Sequence, residues 1–200
     1  TITHLVLNDI AHDSRIRKEV DSALRKGYEV NVLCFNPSNM SIENANIVDI
    51  ELRKIERIKR NKVGKETQET KAKLITKKDI FRTGKIFAYT LQILLKSKGI
   101  NQEIIHANDL TTFPAGYILS ILKKSKLVYD SHEIYSEQFV DSSTIFKHFL
   151  KFVEGIFIQR AQVIIVNEPI ADWFELTYKI KRPTVVMNTP IKKNASILKK

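Results

Sequence analysis

Two hundred residues, 43% hydrophobic and 28% charged, suit one substantial globular core, and a single cysteine excludes an internal disulfide. No uninterrupted apolar run approaches the roughly 18 residues of a membrane span, and no basic stretch followed by a long apolar one marks a secretory signal. The formal charge of +11 is uneven: residues 53–85 hold thirteen Lys/Arg against four Asp/Glu, and Lys192, Lys193, Lys199 and Lys200 add to it, so the rest is close to neutral.

Strand and helix patterns alternate along the whole chain. Ile2–Leu7 reads as a strand, and Asp13–Lys26 as a helix with Ile16, Val20, Ala23 and Leu24 at helical spacing and Gly27 as its stop. Tyr28–Phe35 is a second strand carrying Cys34, whose apolar setting suits a buried structural thiol. Pro37-Ser38-Asn39 breaks the pattern, and the alternation of Ile47–Leu52 predicts a third strand, half-buried or at an edge. A basic loop over roughly 55–76 leads into a helix at 79–98, stopped by Gly99.

Next comes a strand ending in His106-Ala107-Asn108-Asp109, a helix over Leu110–Lys124, and a strand ending in Tyr129-Asp130-Ser131-His132-Glu133. A loop at 134–143, a Phe-rich helix over Ile145–Arg160, a strand at Gln162–Val166, a helix over Glu168–Tyr178 and a strand at Thr184–Met187 complete the order. Pro169 falls in a first helical turn, where its missing N–H costs nothing. Repeated βα alternation predicts an α/β fold: a Rossmann-like, doubly wound, mostly parallel sheet with helices on both faces, in one domain.

Strand, helix, strand is a crossover unit, so the ends at Asp109 and His132 open on one sheet edge, where such sheets bind ligands. Two histidines and several carboxylates converge there. His106, Asn108 and His132 do not make a metal motif: Glu133 is followed by Ile134, Tyr135 and Ser136, no cysteine assists, and asparagine is a poor zinc ligand, so no metal is expected. His106 suits a buried, hydrogen-bonded role; His132, with Asp130 and Glu133 beside it, suits an imidazole tuned near neutral pH. Asp13 can cap the first helix, while Arg15 can pair with Glu19 one turn on or grip a phosphate or carboxylate with its fork. No glycine-rich phosphate loop follows the first strand, which argues against a dehydrogenase or a phosphate-loop nucleotidase, and no nucleophile elbow supports a hydrolase.

The basic segment suits anionic lipid better than nucleic acid. No aromatic residue precedes Phe81 to stack a base, whereas Ile55, Ile58, Val63, Leu74 and Ile75 interleave the charge. A solvated loop without a partner is the plain alternative.

Five blocks in order resemble the family 4 glycosyltransferases of the GT-B fold. They are Asn8-Asp9…Asp13-Ser14-Arg15…Glu19…Gly27-Tyr28-Glu29-Val30, then His106-Ala107-Asn108-Asp109-Leu110…Pro114-Ala115-Gly116, then Val128-Tyr129-Asp130-Ser131-His132-Glu133, then Ala161–Glu168, and Val185–Pro190. The likeness runs from about residue 2 to 190. It implies the N-terminal, acceptor-side domain of an enzyme that moves a sugar, with retention, from a nucleotide-diphosphate sugar to a glycan or lipid-linked acceptor, as in cell-surface polysaccharide synthesis. By the same resemblance, residues 1–190 form this domain with 53–78 as a basic insertion, 191–200 begin an interdomain linker, and the donor-binding C-terminal domain is absent.

The likeness further implies His132 as the catalytic-site histidine facing the donor sugar. It implies Asp109 and Glu133 in the acceptor pocket, with Asp9, Asp13, Arg15, His106 and Asn108 along the same cleft. No cofactor, metal or nucleic acid is implied, and the location is cytoplasmic, peripheral to the membrane through residues 53–85. One departure stands out: Asn8–His12 contains no glycine, so close backbone approach to donor phosphates is not expected there. The rival reading is a non-catalytic Rossmann-like module acting through its basic segment.

Overall fold

The structure, a computed structural model, describes residues 1–35, 40–50, 75–138 and 142–189. Most of the expected basic insertion, the last two residues of the expected third strand, the middle of loop 134–143 and the tail 191–200 lie outside these.

In chain order the elements are β1 (Ile2–Asp9), α1 (Ser14–Arg25), β2 (Val30–Phe35), β3 (Ala45–Asp49), α2 (Lys77–Lys96), β4 (Ile104–Asn108) and α3 (Asp109–Leu122). Then follow β5 (Lys126–Ser131), α4 (Tyr135–Gln138), α5 (Thr144–Ile158), β6 (Ala161–Ile165), α6 (Glu168–Tyr178) and β7 (Thr184–Val185). The alternation read from the sequence is thus present. The boundaries move by a few residues, and a four-residue helix, α4, stands inside the expected loop 134–143.

All seven strands are parallel, in the order β3-β2-β1-β4-β5-β6-β7. The chain winds outward through β2 and β3, then returns to β4 beside β1. The order therefore reverses between β1 and β4, and a crevice opens there past the strand ends.

Local chemistry sets the helix ends. Asp13 caps α1 by accepting from the Ile16 amide, Ser143 caps α5 through Phe146, and Asn167 caps α6 through Ile170. Thr76 and Asp79 form a reciprocal capping box at the start of α2. The buried Asp79 also accepts from the Ser143 amide at 3.2 Å, so the first turns of α2 and α5 share one carboxylate.

Side chains alternate across the strands and divide the core in two. Leu5, Ile105, Ala107, Tyr129 and Ile165 face α2, α3, α5 and α6 through Ile93, Phe113, Leu150 and Phe174. Phe113 and Tyr129 stack there, ring centroids 3.8 Å apart and planes nearly parallel. Helix α3 comes so close that a Cβ on Gly116 would lie 3.0 Å from that of Ala107. Val6, Val30, Val32 and Cys34 face the other way, against Ile16 and Val20 of α1, the one helix in that cluster. Burial and nearby Asp49 and Asp9 push the Cys34 thiol up to about 12, so it is an inert core group, as its sequence setting suggests. No helix among the described residues is long and apolar enough to cross a membrane.

Candidate functional site

Three segments meet at the crevice. The end of β1 and its turn into α1 bring Asn8, Asp9, Asp13 and Arg15; the start of α3 brings Asp109; the end of β5 brings Asp130 and His132. The turn after β1 is closed by the His12 amide on the Asp9 carbonyl at 3.0 Å and the Ala11 amide on the Asp9 side chain at 3.0 Å. Asn8 donates to Asp13 at 3.3 Å.

Asp130 is the hub. It is fully buried, and Arg15, only 7% exposed, grips it with Nη2 at 2.7 Å from both carboxylate oxygens and Nε at 3.0 Å from one. Burial alone would raise this carboxyl. The neighbouring His106 and His132 and the Arg15 guanidinium overcome that and hold it well below the usual carboxylate range. Arg15 also donates to Glu19 at 3.1 Å and to the Val186 carbonyl at 3.3 Å, so its fork is taken up within the chain.

His132 stands between two carboxylates: Nε2 lies 3.6 Å from Asp130 and Nδ1 3.5 Å from Asp109. Asp130 is the larger cause that raises its pKa, working against desolvation, with Asp109 adding to it. Asp109 is itself raised, chiefly by burial. Its backbone takes φ = 67°, a left-handed conformation uncommon for a residue with a Cβ and frequent at functional positions.

Two hollows share Asn8, Asp13 and His132. The larger, about 570 Å³, adds Asp9, His12, Arg15 and Asn188; the smaller, about 240 Å³, adds Lys85, Tyr89, Asn108, Asp109 and Tyr135. His132, with Asn8 and Asp13, lines both. Carboxylates, an amide and an imidazole favoured in its charged form can bind a polyhydroxylated ligand from both sides, with donors and acceptors interleaved.

The structure thus brings Asp9, Asp13, Arg15, Asn108, Asp109 and His132 together and sets two expected residues, His106 and Glu133, apart. Asn108 is buried and donates across to the Leu5 carbonyl at 3.3 Å, tying β4 to β1. His106 lies one pleat deeper, lining a groove beside α1. Glu133 is exposed and lines neither hollow; its carbonyl accepts from Ser131 at 2.9 Å. Lys85 and Tyr89 escape the sequence reading because they come from α2, the far side of an insertion. Tyr135 escapes it because α4 was expected as loop.

This sheet order, edge and crevice define a Rossmann-like, doubly wound α/β domain. The solved structures it resembles make the point concrete. A sucrose-phosphate synthase fragment from Thermosynechococcus elongatus superposes with a TM-score of 0.55 at 12% identity, covering 97% of this chain and 91% of that one. A longer sucrose-phosphate synthase from the same organism gives 0.57 at 11% identity, over 94% of this chain and 47% of that one. UGT2 from Phytolacca americana gives 0.52 at 5% identity, over 99% of this chain and 54% of that one. The chain therefore spans about half the length of the latter two. At such identities the likeness is one of fold, and the fold expectation stands. No family profile matches the sequence, and no curated protein sequence does.

Proposed function

We propose that this chain is the acceptor-side half of a retaining, family 4-like glycosyltransferase that moves a sugar from a nucleotide-diphosphate sugar to a glycan or lipid-linked acceptor in cell-surface polysaccharide synthesis. The observation that carries the reading is the placement of His132. It stands between Asp109 and Asp130, at the wall of both hollows, on the ligand edge of a glycosyltransferase-like sheet.

In this reading the two hollows receive the reacting sugar and the acceptor on either side of the imidazole. His132 donates to a sugar hydroxyl or to the oxygen on which charge develops, and the carboxylates keep it oriented and protonated. Asp9, Asp13 and Asp109 accept from acceptor hydroxyls. Arg15 positions Asp130 and thereby His132. A second domain binds most of the donor, and the transfer itself uses no metal.

The test uses the longest reading frame that contains this chain, assayed for sugar transfer. His132→Ala is expected to lower kcat by about 10²- to 10⁴-fold with a smaller change in KM, while residues 1–200 alone show almost no turnover. Undiminished activity of the variant, or robust turnover by the 200 residues alone, overturns the proposal. A longer chain without any transfer activity points to the binding module.

The same reading places the protein on the cytoplasmic face of an anionic membrane, and two helices support it. On α2, Ile80, Phe87, Leu91 and Leu95 are exposed at helical spacing, Phe87 by 71%. On α5, Ile145, Phe149, Phe152 and Ile156 repeat the pattern, Phe152 by 66%. Lys78, Lys85 and Lys96 share the first helix, Lys147 and Lys151 the second, and the basic residues of 53–76 adjoin in sequence. Apolar stripes flanked by lysines suit an interface with acidic headgroups. Flotation with phosphatidylglycerol-containing vesicles is expected to carry the chain, phosphatidylcholine alone to carry little, and Leu91→Glu/Phe152→Glu to abolish it. Equal binding to both vesicles refutes the electrostatic part.

A further inference from the structure

The groove beside α1 holds a donor set that the glycosyltransferase reading leaves unused. His4 and His106 are register partners on the parallel strands β1 and β4, so their rings lie side by side with centroids 4.7 Å apart. Glu19 reaches down from α1 over both. One of its carboxylate oxygens, Oε1, is bonded to Arg15. The other, Oε2, lies 3.9 Å from His4 Nδ1 and 3.9 Å from His106 Nε2. The three donor atoms all fall within 4.8 Å of one another.

None of these three atoms has a hydrogen-bond partner among the described residues. His4 is the sharpest case: only 2% exposed, with both ring nitrogens unpartnered. Buried polar atoms are nearly always paired, so three neighbouring orphans call for a partner that can reach all of them. Direct hydrogen bonds do not supply it, because 3.9 Å is too long. A cation about 2.0–2.2 Å from each donor bridges such a gap after side-chain shifts of a few tenths of an ångström. An entry path exists as well: a groove of about 520 Å³, walled by Ile104, Val128 and Ile164, opens onto His4, Glu19 and His106.

We propose that His4 Nδ1, His106 Nε2 and Glu19 Oε2 form a three-ligand site for a borderline divalent metal of the zinc class, its remaining position open to water or a small ligand in the groove. Two imidazoles and one carboxylate select Zn²⁺, Co²⁺ or Ni²⁺ over the oxygen-seeking Mg²⁺ and Ca²⁺. The Arg15–Asp130 pair beside it is internally neutral, so Glu19 supplies the net negative charge. Asp130 lies 3.8 Å from the same His106 Nε2, on the cleft side of the site. The metal pins α1 to β1 and β4 on the face that α1 covers. It sits one pleat below His132 and takes no part in the transfer step, so its presence is independent of whether the chain is a transferase.

The test is metal binding by the untagged 200-residue chain after chelator treatment, with Zn²⁺ or Co²⁺ as the only addition. Calorimetry is expected to show one Zn²⁺ per chain, and Co²⁺ to develop visible absorption of low-symmetry nitrogen–oxygen coordination. Zn²⁺ at about a hundredfold over Kd raises Tm by about 5–10 °C. Glu19→Gln and His106→Gln are each expected to weaken binding at least tenfold, His148→Gln on α5 to leave it unchanged, and Mg²⁺ to give no shift. Should a variant fail to fold, the imidazole ¹⁵N resonances of the unaltered chain decide: Zn²⁺ must shift those of His4 and His106 and spare His148. No binding by the unaltered chain, equal binding by both variants, or shifts at other histidines overturns the proposal.

Discussion

On one side of the sheet Phe113 stacks on Tyr129 at 3.8 Å beneath four helices; on the other, α1 lies over His4, His106 and Asp130. The first side is stabilised by apolar area, which tolerates no void. The second places ionisable groups where most proteins place leucine. Buried charge of this kind adds little net stability over an apolar pair of the same size, yet is costly to leave half-paired. The apolar side therefore holds the fold, and the polar side holds His132 and its neighbours in register.

The strongest test of that division is Phe113→Ala, expected to cost about 3–5 kcal/mol in denaturant unfolding. A loss under 1 kcal/mol would break the comparison. Asp130→Ala comes next, at about 3 kcal/mol, because it removes the buried partner of Arg15 Nη2 and leaves the guanidinium only Glu19 and the Val186 carbonyl. Arg15→Met/Asp130→Leu is expected to recover most of that loss while losing the orientation of His132. The sign with pH is fixed by the depressed folded pKa of Asp130. Its contribution is complete above the ordinary value of 3.8 and is lost as pH falls through the folded value, so the unaltered chain weakens in acid and the double variant less so.

The smallest expected effect sharpens the picture on the apolar side, where Glu154 is the exception. It is buried and accepts from Tyr129 at 2.5 Å and Tyr178 at 2.6 Å. Burial raises its pKa against the pull of both hydroxyls. The folded state therefore keeps a proton that the unfolded chain releases, and stability falls as pH rises from about 4.5 through the raised value. Glu154→Gln is expected to change stability by under about 1 kcal/mol at neutral pH and to flatten that slope, read from Tm against pH.

The alternation of elements was legible because hydrophobic periodicity is local, and Gly27, Gly99 and Pro169 mark element ends within a few residues. The convergence of Asp109 and His132 was legible too, since a strand–helix–strand unit forces parallel ends. The direction of His106 was not: it depends on which sheet face α1 covers. Glu19 reads as the surface partner of Arg15 because their spacing is all that a sequence displays. That Arg15 meets Asp130, 115 residues away, is a property of strand order rather than of any local pattern.

That separation also sets a timetable for the protein's birth. Arg15 leaves the ribosome 115 residues ahead of Asp130, a lag on the order of ten seconds at the usual rates of chain elongation. Through that interval the guanidinium has only Glu19, one turn away, as a native counter-charge, and α1 is not yet anchored to the sheet through its arginine. The anchoring of α1 to the sheet through Arg15 thus waits for β5, which is made long after it.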